Sequence, residues 1–238
     1  MSPAERPQAP PTRIGAVLLD LDDTLYPQQD WLEGALDRVA EAGARYGADW
    51  MELRSALGDV ISHGSDSGKV IDQALAQAGF PHIPVAPLVE AFRSHAPEHL
   101  DLYPGVAQTM TFLKERAALA LITDGDPAMQ MAKLSALHIE AYLDAVVISD
   151  ALGREYRKPH PLAFTTALER LGAQPEASVM VGDRPDKDIA GAARLGIATI
   201  RVLTGEYKDL PNEPSPWATV KTFEELGPLL EPFLIGTS

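Results

Sequence analysis

A doubly wound α/β fold, a parallel sheet with helices on both faces and an all-helical insert, is predicted by three observations. Short apolar runs recur along the chain and stop abruptly at Asp, Thr or Gly. Segments with helical spacing separate most of them. One long stretch, 28–100, holds several helix-like patterns and no convincing strand.

The runs lie at 14–19, 119–122, 145–148, 179–181 and 198–202. They are aliphatic, rich in β-branched residues and free of polar alternation, as strands buried on both faces must be. Val106, Met110 and Leu113 mark one helix. Phe164, Leu168 and Leu171 mark another, opened by Pro161 and closed by Gly172. Residues 189–195 give a third, closed by Gly196. Strands alternating with helices imply right-handed crossovers and a parallel sheet. Within 28–100, helix-like stretches fall near 31–46, 49–61, 67–78 and 85–95. The expected division is therefore a disordered arm (1–12), an α/β core (13–27 and 101–238) and a helical domain (28–100). Past Leu210, Pro211, Asn212, Pro214 and Pro216 mark a loop before a short helix near 222–231.

The composition narrows the function. With 20 basic and 34 acidic residues the net charge is −14, which repels nucleic-acid backbones and anionic lipids. A phosphorylated ligand would need local positive charge, from a divalent metal and a lysine or two. The chain has no cysteine, so disulfides, thiolate nucleophiles and cysteine metal sites are excluded. The N-terminus lacks the apolar stretch of a secretory signal and no run approaches membrane-spanning length. A cytoplasmic protein with neither nucleic acid nor membrane as partner is expected; oligomeric state is left open.

Open parallel sheets bind ligands at the carboxyl ends of their strands. The first apolar run ends in Asp20-Leu21-Asp22-Asp23-Thr24, and the second in Thr123-Asp124-Gly125-Asp126. The third leads through Ser149-Asp150 to Arg157-Lys158-Pro159, and the fourth ends in Gly182-Asp183-Arg184 with Asp186 and Asp188. Clustered carboxylates repel one another without a cation, and as hard oxygen ligands they suit Mg²⁺. A hydroxyl and a lysine complete a metal-assisted phosphate site.

Asp20-Leu21-Asp22-Asp23-Thr24-Leu25, Thr123, Lys158-Pro159 and Gly182-Asp183 with Asp188 resemble, in order, the four motifs of the haloacid dehalogenase-like hydrolase superfamily. The resemblance covers about 14–205, and the helical segment after the first motif is similar to the subfamily whose cap enters there. It implies a Rossmann-like core and a phosphatase acting on a small phosphorylated metabolite. Asp20 would be the nucleophile and form an aspartyl-phosphate. Asp22 would be the general acid and base. Mg²⁺ would be held by Asp20, the carbonyl of Asp22, Asp183 and Asp188. Thr123 and the N–H of Asp124 would bind phosphate oxygens, and Lys158 would neutralise them and steady Asp20. A phosphomutase, a 2-haloacid dehalogenase and a non-catalytic binding member are the alternatives.

Asp124 stands where the second motif often has Asn, and its carboxylate is expected to turn away from a phosphate. Arg154 and Arg157 read as solvated, and Asp186 as a loop cap. Trp31, Tyr46 and Trp50 read as packing residues of the helical domain. Tyr26, Gln28 and Gln29 are the specificity candidates. Two further motifs fail. His95-Ala96-Pro97-Glu98-His99 needs a continuous helix that Pro97 interrupts. Residues 64–69 form a phosphate-loop pattern one residue too short.

Overall fold

The structure, a computed structural model, describes residues 10–64 and 68–234. Residues 1–9 of the expected arm, and part of the 64–69 pattern, lie outside them. The chain forms two compact units. One comprises the chain up to Gln28 together with the chain from His99 onward, and the other is Gln29–Glu98.

The first unit is built on β1 (Ala16–Leu19), β2 (Ala118–Thr123), β3 (Ala145–Ile148), β4 (Ser178–Gly182), β5 (Ala198–Val202) and β6 (Ala218–Val220). They form one sheet in the order β3-β2-β1-β4-β5-β6, and every pairing is parallel. β1 is central and buried along its whole length, as its unbroken apolar run requires. The strand order reverses beside β1, which makes the carboxyl ends of β1 and β4 the crevice of the fold.

The helices are α1 (Gln28–Ala44), α2 (Trp50–Ser62), α3 (Val70–Gln77), α4 (Val85–Arg93), α5 (Val106–Lys114), α6 (Pro127–Leu137), α7 (Pro161–Leu171), α8 (Ala190–Ala193) and α9 (Leu226–Leu230). α7 starts with Pro161 at its first turn and ends on Gly172 at φ 62°, the left-handed position that glycine takes without strain. It presses Phe164 and Leu168 into one apolar cluster with Leu18, Ile122 and Met180 of the sheet. The third helix expected from sequence begins instead as a π-helical turn, Pro185–Ile189, and only then becomes α8. A π turn re-aims side chains within a helix and recurs at functional sites.

Neither α6 nor β6 is expected from the sequence pattern. α6 is signalled locally by Asp126, whose side chain accepts from the N–H groups of Ala128 and Met129, and by Pro127 at the first turn. Its periodicity is masked because Gln130 and Lys133 share the buried face with Leu134 and Leu137.

In the second unit, Leu36, Val39, Leu53, Leu57, Leu75 and Leu88 form an apolar core across α1–α4. Asp49 caps α2 by accepting from Glu52 N at 3.0 Å. Trp31 is buried and meets Phe92 edge-on at 5.2 Å. Tyr46 and Trp50, expected to pack, are exposed instead. α4 ends at Arg93, so neither His95 nor His99 belongs to it.

Candidate active site

At the end of β1 the chain folds back in a tight turn, with Leu25 N donating to Leu21 O at 3.0 Å. Asp23 takes the left-handed region at φ 57°. Its carboxylate accepts from Gln28 N at 3.0 Å and Glu206 N at 3.1 Å, fastening the turn to the loop after β5. The turn projects Asp20, Asp22 and Thr24 differently. Asp20 and Thr24 point inward, with the Thr24 hydroxyl donating to Asp20 Oδ2 at 3.0 Å. Asp22 is half-buried (20% exposed side chain).

Lys158 is the hub. It is 5% exposed, and its ammonium donates to Asp20 Oδ1, to Asp188 Oδ1 at 2.8 Å and to the Ile122 carbonyl at 3.1 Å. Burial opposes its charge, but Asp188, Asp20 and Asp124 outweigh that and hold its pKa well above the ordinary lysine value. Lys158 is therefore a fixed cation beside Asp20. Asp188, in the π turn, accepts from Arg184 N on Oδ2 at 3.0 Å, so both of its oxygens already have partners.

Asp183, at the end of β4, is 2% exposed, and neither of its carboxylate oxygens has a hydrogen-bond partner. A buried carboxylate without donors carries a desolvation cost that a bound cation would offset. Oxygens of Asp20, Asp183 and Asp188 lie within 4.8 Å of one another, and all three are hard donors suited to Mg²⁺. Burial, offset only in part by Lys158, raises the Asp20 pKa from 3.8 to about 7. Burial and then the Asp20 and Asp188 charges push Asp183 well above its ordinary value. The residues fit a divalent cation, which would offset the burial and the mutual repulsion that raise both acids.

At the end of β2, the Thr123 hydroxyl donates to Gln130 Oε1 at 3.1 Å. The Asp124 carboxylate accepts from Ser149 Oγ at 2.7 Å and from the backbone N–H of Lys158 at 3.0 Å. Its charge thus ties the β2 and β3 loops to the lysine segment. Arg157 is paired rather than solvated: its Nε and Nη2 each reach Asp150 at 2.6 Å. Asp150 in turn accepts from Gly125 N at 3.3 Å. Asp186 pairs with Arg184 at 2.8 Å.

Sequence reasoning missed the part played by four residues. Tyr26, expected as a specificity residue, is fully buried and donates to Asp22 Oδ1 at 2.5 Å. Lys133 donates to the same oxygen at 2.7 Å. Gln130 holds Thr123, as described. Arg201, expected only as a strand residue, is fully buried and donates to the carbonyls of Asp183 (3.2 Å), Leu210 (2.7 Å) and Tyr207 (2.6 Å). A polar residue inside an otherwise apolar stretch is the available signal for Gln130, Lys133 and Arg201.

The family model of haloacid dehalogenase-like hydrolases matches residues 14–196. The chain is 38% identical to the glyceraldehyde 3-phosphate phosphatase of Methanopyrus kandleri, covering 89% of this chain and 92% of that one. It is 33% identical to the ribulose-1,5-bisphosphate 5-phosphatase of Halopiger xanaduensis, over 86% of this chain and 91% of that one. In fold it resembles a HAD phosphatase from Thermococcus onnurineus, with a TM-score of 0.66 and 24% identity over 91% of this chain and 98% of that one. Sequence and architecture agree: the chain belongs to the haloacid dehalogenase-like hydrolase family.

Proposed function

We propose that this chain is a Mg²⁺-dependent phosphatase that hydrolyses a small phosphorylated metabolite through an aspartyl-phosphate on Asp20. The observation that carries the reading is the buried cluster of Asp20, Lys158, Asp183 and Asp188 at the crevice of the sheet. Asp20, Asp183, Asp188 and the carbonyl of Asp22 are assigned to the metal. Bound there, Mg²⁺ would supply charge neutralisation and Lewis acidity toward the phosphoryl group.

The chain's own residues divide the remaining work. Lys158 holds Asp20 in one orientation and favours its anionic form, to which a cation on Asp20, Asp183 and Asp188 would add, for attack on phosphorus. As the bond from Asp20 to phosphorus forms, the bond to the leaving oxygen breaks and that oxygen takes a proton from Asp22. Asp22 then accepts a proton from water, whose oxygen attacks phosphorus and frees Asp20. Thr123 and the N–H of Asp124 are assigned to the non-bridging oxygens; the Thr123 hydroxyl must turn from Gln130 to donate there. An acid aligned for protonation distinguishes this reading from dehalogenation, which needs none.

The relatives are named for a triose phosphate and a pentose bisphosphate, which favours a short phosphorylated sugar as the substrate. Gln29–Glu98 is assigned the role of substrate-selecting cap. The test is phosphate release from a panel of triose to hexose phosphates with Mg²⁺. Turnover abolished by a chelator and by Asp20→Asn supports the reading. Isomerised substrate without phosphate release would establish a mutase instead.

A further inference from the structure

Two donors from different elements converge on one oxygen of Asp22. Lys133 Nζ reaches Oδ1 at 2.7 Å and Tyr26 OH reaches it at 2.5 Å. Lys133 is 2% exposed although it belongs to a helix whose other buried residues include Leu134, Ala136 and Leu137. An ammonium sunk to that depth costs several kcal/mol unless it is paired, and packing alone would be met by leucine. Its placement calls for another explanation.

The geometry supplies one. α6 is fixed at its start by Asp126 and Pro127. Gln130 and Lys133 stand one turn apart on its buried face. Gln130 takes the hydroxyl of Thr123 and Lys133 takes Asp22. One rigid helix therefore fixes side chains at the ends of both β2 and β1. Tyr26 closes on Asp22 from within the turn itself, four residues on. An unheld carboxylate at a strand end rotates freely, whereas a general acid must stay within hydrogen-bond reach of the leaving oxygen. Both donors occupy Oδ1, so Oδ2 is the oxygen left for the proton.

We propose that Lys133, aided by Tyr26, is a positioning residue that clamps Asp22 through Oδ1 so that both proton transfers run through Oδ2. The inference rests on the reading of Asp22 as the general acid and base. It adds a division of labour between the two oxygens and gives α6 a part in the chemistry.

The test is a leaving-group series with the full chain and Mg²⁺, from phenyl phosphate to dinitrophenyl phosphate. In these reactions kcat/KM reports the steps up to departure of the leaving group. Phenolate needs the proton at departure and dinitrophenolate does not. Lys133→Met is expected to lower kcat/KM on phenyl phosphate about 10- to 100-fold and on dinitrophenyl phosphate by less than about 3-fold. Tyr26→Phe shifts the ratio in the same direction by a smaller factor, and Lys133→Arg restores part of the loss. In an Asp22→Asn background, Lys133→Met adds no further loss on phenyl phosphate. Equal losses on both esters, or a further loss in that background, overturn the clamp. If Lys133→Met does not fold, as shown by its thermal unfolding, Tyr26→Phe and Lys133→Arg carry the same comparison, and equal losses again overturn it. Asp22→Asn cleaving phenyl phosphate at the parent rate would instead overturn the acid–base reading beneath it.

Discussion

The two units have opposite interiors. The buried Asp, Lys, Arg, Gln, Ser and Thr side chains among the described residues all lie in the sheet unit, including Asp20, Asp23, Lys133, Lys158, Asp183, Asp188 and Arg201. Among the described residues of Gln29–Glu98 the buried side chains are hydrophobic, Trp31 with its indole N–H included, and ion pairs such as Arg54 with Asp37 at 2.6 Å stay partly exposed. Burying charge is costly and burying methylene is favourable. The helical unit is thus built as a packing problem. The sheet unit offsets the cost of burying its charges with paired donors, and at Asp183, which has none, a bound cation would do so. Stability was exchanged for chemistry in one unit and kept in the other.

Four experiments press on that contrast, beginning with the largest effect. Asp20→Asn is expected to reduce phosphate release by ~10⁴-fold or more while the protein stays folded, measured with Mg²⁺ at saturation. Persistent turnover would move the chemistry elsewhere. Asp183→Asn should cost about 10²-fold or more in activity and abolish the rise in Tm on adding Mg²⁺. Without metal, the same variant should be more stable than the parent at pH 7.5, because it removes an unpartnered buried charge. A buried charge whose removal stabilises is the opposite of what the helical unit should show. There, Leu57→Ala is expected to lower stability by about 2–5 kcal/mol in thermal or urea unfolding. If Leu57→Ala were silent and Asp183→Asn ruinous without metal, the contrast would be reversed.

The smallest effect is the pH dependence of the metal-free protein. Asp20 moves from 3.8 to about 7 on folding and Asp183 also moves upward. Between those values the native state binds more protons than the unfolded one, so stability is greatest at the acid end of the window. It falls as pH rises from about 4 through about 7. Differential scanning calorimetry should record a lower Tm at pH 7.5 than at pH 5.5 without Mg²⁺, and a larger rise with Mg²⁺ at pH 7.5. A Tm independent of pH over that range would remove the charge strain assigned to the cluster.

The legible parts of this molecule are those with a sharp chemical boundary. An apolar run halting at Asp20, Thr123 or Asp183 announces both a strand and the residue that stands at its end, which is why those residues and the five longer strands can be located from sequence. β6 escapes because Ala218–Val220 is short and comes after a proline-rich loop. α6 escapes for a more instructive reason. Gln130 and Lys133 interrupt its buried face, so the periodicity that identifies a helix is broken by the residues that give it a role. For Tyr26, sequence spacing places the residue near Asp22, but only the folded turn shows that its hydroxyl meets that carboxylate rather than a substrate. Asp188 is expected from sequence as a metal ligand, and its bonds to Lys158 and Arg184 N could not be inferred from order along the chain.

Tyr103 N donates to Leu25 O at 2.9 Å, stitching the chain together across the point where it leaves the sheet unit and returns to it. The intervening segment is therefore a side loop with a sewn base. Closing such a loop depends on its length only logarithmically, and a tenfold change in length alters the closure cost by about 2 kcal/mol. An insert so mounted is exchangeable. Helical segments of other sizes and surfaces can occupy the same position while the sheet keeps its register.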